Sequence, residues 1–333
     1  MKKLINAAAD VVAESVAGFA AANERIVRIS ADPLFVTRAD SPVAGKVAVL
    51  SGGGSGHEPM PVGFVGYGML DAGVPGPVFT SPSPDPIVAA TRAIDSGAGV
   101  IYLILNYTGD ILNFEIAAEL AEMEGIEVAS VVVNDDVAVE DSTFTAGRRG
   151  VAGTVLVSKI AGAAAERGDT LEEVALIAQR VVHHVRTMGV ALSASVVPHV
   201  GKPSFELDEN ELEIGIGIHG EPGRYRAAMM SADQVADHLL DAVVQDLKIA
   251  TGERALLFVN GLGGTPESEL HIVYGRARAR LEEAGVEVIR SLVGNFVTSL
   301  EMRGCSITVL RLDDEMTELW DAPVDTARLR WEM

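Results

Sequence analysis

Gly99-Val100-Ile101-Tyr102-Leu103-Ile104-Leu105 runs directly into Asn106-Tyr107-Thr108-Gly109-Asp110, and that junction decides the fold. The first seven residues are apolar without a break and rich in β-branched and aromatic side chains. Such a run is too short for a buried helix and reads as a strand covered on both faces. The polar pentad ends it, and an apolar-periodic helix follows from about Ile111 to Met123. Ile126 to Val133 reads as the next strand, closed by Asn134-Asp135-Asp136. Upstream, Lys46 to Leu50 is a short strand leading into the loop Ser51-Gly52-Gly53-Gly54-Ser55-Gly56-His57. Thr80-Ser81-Pro82-Ser83-Pro84-Asp85-Pro86 opens a helix near Ile87 to Asp95. Apolar strand, polar loop and helix in alternation indicate an α/β domain with mostly parallel strands. In such sheets ligands collect beyond the carboxyl ends of the strands, where the three most unusual loops stand.

Downstream, the spacing predicts helices near Val151 to Glu166 and Leu171 to Met188. Small residues with Pro198 and Pro203 then make Val190 to Phe205 irregular. A strand ending at His219, a helix near Ala232 to Leu247, a strand at Arg254 to Asn260 and a helix to about Glu283 follow. Strands near Val286 to Val293 and Ser306 to Leu312 complete the pattern. At 333 residues the chain exceeds the usual size of a single core. The expected fold class is therefore α/β: two α/β domains with mixed, mostly parallel sheets flanked by helices. Their expected extents are 1–190, with the glycine-rich loop and the Asn106–Asp110 loop, and 191–333, with His219.

Lys and Arg number 26 against 47 Asp and Glu, a net charge of -21 that repels nucleic acid and anionic membrane surfaces. Cys305 is the single cysteine, which excludes an internal disulfide and a cysteine-rich metal site. Asn6, Asp10 and Glu14 interrupt any signal-peptide core, and nothing approaches the run of about 18 apolar residues a membrane span needs. The expectation is a cytoplasmic globular protein that binds neither membrane nor nucleic acid.

In Leu212-Glu213-Ile214-Gly215-Ile216-Gly217-Ile218-His219 the isoleucines share one face. Glu213, Gly215, Gly217 and His219 share the other. Glycine within a strand often marks the close approach of a ligand or backbone. His219 is thus either a nucleophile at the edge of a cleared cavity or a core histidine beside packing glycines. The loop Gly52 to His57 invites a phosphate-cradle reading, but no Gly-x-x-x-x-Gly-Lys-Ser/Thr pattern occurs and position 57 is histidine. A histidine beside four glycines points rather to a small ligand. Asp110 stands where a helix N-cap is expected, and a general base at a strand terminus fits the same position. Asp135, Asp136 and Asp141 form an acidic cluster that reads as a solvated turn more readily than as a metal site. Arg148 and Arg149 could meet a phosphate or pair with surplus carboxylates. No His/Cys/Asp/Glu spacing makes a zinc site.

Five stretches occur together and in order: Val36-Thr37-Arg38-Ala39-Asp40, Leu50 to Pro59, Asn106 to Asp110, Thr145-Ala146-Gly147-Arg148-Arg149-Gly150 and Gly217-Ile218-His219-Gly220-Glu221-Pro222-Gly223. In these the chain resembles the substrate-binding K subunits of the dihydroxyacetone kinase family, over nearly its whole length. The resemblance implies a phosphotransferase subunit of glycerol metabolism whose His219 bonds the ketose carbonyl as a hemiaminal. It further implies that His57 hydrogen-bonds the bound triose, that Asp110 takes the proton of the hydroxyl to be phosphorylated, and that Gly54, Ser55, Gly56 and Ser81 line the pocket. No cofactor is implied on this chain; nucleotide (ADP or ATP) and magnesium belong to a separate helical L subunit. Whether that nucleotide exchanges as ATP or is re-phosphorylated by a phosphotransferase-system M subunit stays open. A homodimer is implied as well. Many family members have a substrate-contacting lysine at the position of Leu105, which leaves room for another short ketose such as a tetrulose. A non-catalytic carbonyl-sensing co-activator is the alternative from a different class.

Overall fold

The computed structural model describes residues 2–139 and 145–333, so Asp141 of the acidic cluster lies outside the described residues. In chain order the elements begin with α1 (Val11–Ala22), β1 (Val27–Ala31), β2 (Leu34–Arg38), β3 (Ala48–Ser55), β4 (Gly66–Tyr67) and β5 (Ala72–Val78). Next come α2 (Pro84–Ile94), β6 (Val100–Leu105), α3 (Thr108–Met123), β7 (Val128–Val133), α4 (Gly153–Arg167) and α5 (Leu171–His184). Then follow β8 (Val185–Ala191), β9 (Glu211–Ile214), β10 (Tyr225–Ala228), α6 (Ala232–Leu247), β11 (Arg254–Gly261) and α7 (Glu267–Glu283). The last are β12 (Glu287–Gly294), β13 (Gly304–Leu312), α8 (Asp314–Asp321), β14 (Val324–Thr326) and β15 (Arg330–Trp331).

These elements form two units that share the sequence in alternation. The first takes residues 2–133, 154–181 and 315–333; the second takes 134–153 and 182–314. The extents therefore differ from a single division after residue 190. Val185 to Met188, expected as the end of a helix, belong instead to strand β8, which pairs with β13 of the second unit. Residues after 314 return to the first unit, where β14 pairs with β4.

The first unit is built on a six-stranded sheet of order β1-β2-β5-β3-β6-β7. The pairs β5/β3, β3/β6 and β6/β7 are parallel; β1/β2 and β2/β5 are antiparallel. β5 was hidden by Pro75 and Pro77, residues that normally exclude an interior strand. β2 pairs only with Ala72 and Gly73 at the start of β5, so both prolines lie beyond the reach of that ladder. Leu50, Val74, Tyr102, Ile104, Ile87 and Phe114 share one core cluster that joins the sheet to α2 and α3. At the β2–β5 corner, Arg38 is 4% exposed and bonds Asp71 at 3.2 Å, Asp40 at 2.9 Å and also Glu166. Lys46 donates to Asp71 at 2.5 Å, so the buried charges are mutually compensated. Lys159 on α4 is fully buried; it donates to the carbonyl of Leu319 at 2.7 Å and lies 5.6 Å from the centre of the Trp331 ring. Burial pushes its amine down to about 7 against the pull of the Asp321 charge.

The second unit has the sheet β10-β9-β8-β13-β11-β12. Only β11/β12 is parallel, linked through α7, and the other four pairs are antiparallel. The expected class of mixed sheets flanked by helices holds, with antiparallel pairing dominant in this second sheet. Leu257, Val259, Ile307 and Val309 form one core with Leu239, Val243, Leu270 and Ala277 of α6 and α7. No helix among the described residues is long and apolar enough to cross a membrane.

Candidate functional site

The glycine run is strand rather than loop. β3 continues through Ser55, with Gly52 opposite Val74 on one side and Ile104 on the other. The glycines are there for clearance. A Cβ on Gly52 would lie 2.8 Å from the Val74 carbonyl oxygen, and one on Gly54 would lie 2.5 Å from the backbone nitrogen of Thr80. Beyond Gly52 the run stays paired with β5 through Ser55, so it is extended strand rather than a loop wrapped round a phosphate. Ser55 is buried and its hydroxyl donates to the Gly76 carbonyl at 2.7 Å. Gly56, at φ +100°, turns the chain out of the sheet, and its N–H donates to the Glu58 carboxylate at 3.0 Å. His57 follows, 2% exposed and stacked on Phe79 with ring centres 5.1 Å apart.

β5, β3 and β6 are neighbours and run parallel, so Phe79 to Ser81, Ser55 to His57 and Asn106 to Asp110 leave the sheet at the same carboxyl edge. The expectation that three loops gather there is met. Asp110, however, is not the N-cap: Tyr107 holds that place with extended backbone, and Asp110 is the third residue of α3. Its carboxyl is buried in the first helical turn, where the aligned peptide dipoles favour negative charge. Ser81 packs toward the same turn, its Cβ 3.4 Å from where a Cβ on Gly109 would be. The Ser81 hydroxyl accepts from Asn113 Nδ2 at 3.1 Å, and the same amide donates to the Pro82 carbonyl at 2.8 Å. Asn113 thus fixes the β5–α2 loop against α3, a role that its place within an apolar-periodic helix did not announce.

His219 belongs to the second unit and sits on a loop, not a strand. β9 ends at Ile214 because Gly215 takes φ +83°, after which Ile216 turns back into a small cluster with Ala191, Leu262, Met302 and Phe205. A turn closed by the Gly220 N–H on the Gly217 carbonyl, at 3.0 Å, presents the histidine. Gly220 at φ +81° folds the chain so that Glu221 reaches back: its Oε1 lies 2.8 Å from His219 Nδ1, and its Oε2 accepts the His219 backbone N–H at 3.0 Å. The Glu221 side chain is 1% exposed and that of His219 16%. Burial opposes the Glu221 charge, but His219 and Arg149 outweigh it and hold the carboxyl at about 2. The sequence reading passed over Glu221; its signal was an acid two residues beyond the histidine with a turn-forming glycine between.

The paired arginines meet carboxylates, which decides between their two readings. Arg148 binds Asp246, shared with Arg186, and Arg149 binds Asp136 at 2.7 Å. Asp135 accepts the backbone N–H groups of Val151 and Gly153, at 2.8 and 2.7 Å, where α4 begins. These two aspartates are buried and structural, not a solvated turn. Among the described residues no group of three or more His, Cys, Asp or Glu side chains is placed to hold a metal ion.

Comparison with known proteins gives a consistent result. The Dak1 domain matches residues 17–328. The chain is 49% identical to the dihydroxyacetone-binding subunit of the PEP-dependent dihydroxyacetone kinase of Escherichia coli, over 99% of each. Its fold matches a dihydroxyacetone kinase operon co-activator with a TM-score of 0.87 at 35% identity, covering 93% of this chain and 96% of that one. It also matches the dihydroxyacetone kinase of C. freundii with a TM-score of 0.89 at 35% identity, covering 99% of this chain and 60% of that one. Identity at this level along the full length, and a family match across nearly all of it, place the chain in the Dak1 domain family.

Proposed function

We propose that this chain is the dihydroxyacetone-binding subunit of a multi-component dihydroxyacetone kinase, with His219 as the covalent anchor of the ketose. The observation that carries the reading is the contact of His219 Nδ1 with the buried Glu221 carboxylate. Facing an ionised acceptor, Nδ1 keeps the ring proton of the neutral imidazole and Nε2 keeps its lone pair. Nε2 adds to the carbonyl carbon, and the π pair of C=O moves to oxygen, which takes a proton from water. The Nδ1 proton leaves by way of Glu221. One C–N bond forms, nothing is oxidised and no group departs.

Glycerol is nearly the same size as dihydroxyacetone, and shape alone separates such molecules by about 1–3 kcal/mol. An adduct that only a carbonyl can form makes the choice absolute. The anchored triose then offers its terminal hydroxyl to Asp110, which takes the proton during transfer, while His57 bonds the triose and Gly54, Ser55, Gly56 and Ser81 wall the pocket. Positioning supplies much of the rate in phosphoryl transfer. The phosphoryl group arrives from a helical L subunit holding nucleotide and magnesium, recharged through a phosphotransferase-system M subunit. The PEP-dependence of the E. coli relative supports that relay over free ATP. Leu105, buried at the end of β6, keeps a tetrulose open as the ketose.

The likeness to an operon co-activator supports a second reading, in which the chain binds the ketose and transfers nothing. Intact-mass analysis with dihydroxyacetone, followed by a transfer assay with the L subunit and its donor, separates the two. An adduct with transfer is expected. An adduct that no donor system ever phosphorylates leaves the sensor, and no adduct at all ends the covalent proposal.

A further inference from the structure

Arg149 touches no substrate in the mechanism above, yet the loop of His219 is arranged around it. It is fully buried; its Nε donates to Asp136 Oδ2 at 2.7 Å and its Nη2 to the Gly215 carbonyl at 2.7 Å. Its Nη1 points at the place where Gly217 lacks a side chain. A Cβ there would lie 2.7 Å from Nη1 and 2.0 Å from Glu221 Oε2, so both atoms crowd one small volume that only glycine leaves open. Asp136, Arg149 and Glu221 thus form a chain of alternating charge that runs from the interior to His219 at the loop tip.

We infer that Arg149 is the positioning residue of His219, acting through Glu221: it pins the loop at Gly215 and fixes a cation beside Oε2, so that Oε1 stays aimed at Nδ1. The inference rests on the reading of His219 as the ketose anchor. A carboxylate this deeply buried needs a permanent counter-charge, because leaving it uncompensated is costly and favours its neutral form. A guanidinium remains charged at any working pH, and its planar fork is already oriented by Asp136. With Arg149 gone, Glu221 is free to rotate or take up a proton. The ring is then free to place its N–H at Nε2, where an attacking lone pair is needed.

The test uses the full chain with Arg149→Gln, Arg149→Lys and Gly217→Ala. The readouts are the ring-nitrogen NMR signals of His219, the rate of adduct formation with dihydroxyacetone by intact mass, and thermal unfolding. At metal sites, groups that orient a ligating histidine are worth about 10–100-fold, and a loss on the same scale is expected here. Arg149→Gln is expected to lose adduct rate on that scale and to show mixed tautomers, with Arg149→Lys recovering part of both. If Arg149→Gln does not fold, Gly217→Ala forces the same two groups apart with every charge kept, and the same loss is expected. A folded Arg149→Gln or Gly217→Ala chain with the unaltered tautomer and rate overturns the inference. An Nδ1–H tautomer that depends on Arg149 in a chain that never forms an adduct defeats only the ketose reading.

Discussion

The two units hold their candidate site residues by different means. In the first, Ser81, His57 and Asp110 stand just past the ends of three adjacent strands, and backbone geometry alone gathers them. In the second, His219 is the tip of a glycine loop whose shape depends on buried charges brought from distant sequence, Asp136 and Arg149. The first arrangement tolerates side-chain change so long as the strands and their clearances survive. The second is expected to fail if a single charge is removed. One kind of site is therefore legible locally, and the other is a tertiary construction.

Four measurements press on this contrast. His219→Ala is expected to abolish the dihydroxyacetone adduct in intact-mass spectra; any residual adduct of the same stoichiometry defeats the anchor. Asp110→Asn should retain the adduct but lose phosphoryl transfer by about 10²–10⁴-fold in a coupled assay, the usual worth of a general base. Transfer at the unaltered rate would make Asp110 a helix-end residue only.

Glu221 gives a stability prediction with a definite sign. Its carboxyl is held at about 2 when folded against an ordinary 4.5, so it stabilises the chain above the ordinary value. That contribution, about 3 kcal/mol from the shift, is lost as pH falls from near 4.5 through 2. Denaturant midpoints across this window should fall more steeply for the unaltered chain than for Glu221→Gln, and parallel curves would refute the charge chain. The smallest effect belongs to Ser55→Ala, which removes one buried hydrogen bond to Gly76 and should cost about 1 kcal/mol by denaturant unfolding with the adduct retained.

Period and punctuation were enough to foresee the parallel centre of the first sheet and the edge at which its loops meet. β6 was visible as an unbroken apolar run, and the helix after Asp110 by its repeat. β5 was not visible, because its prolines argue against a strand until one knows that β2 stops short of them. The glycines of β3 looked like a loop because the groups they make room for, Val74 and Thr80, come from later in the chain. His219 stood out by its neighbours, yet its partner chemistry did not. Nothing local says that Gly217 is empty so that Arg149 can face Glu221. The interleaving of the units was equally hidden, since β8 begins at the residue after α5 ends, with no glycine or proline between them.

The small sheet β15-β14-β4 joins Gly66 and Tyr67 to residues more than 250 positions later, and Arg25 reaches Asp325 in the same way. During synthesis the amino-terminal unit must wait for its last pieces while the whole intervening unit emerges and folds. Such distant closures are slow to find. A released chain that ended before α8 would carry a complete second unit and an open first one, an attractive substrate for chaperones or proteases.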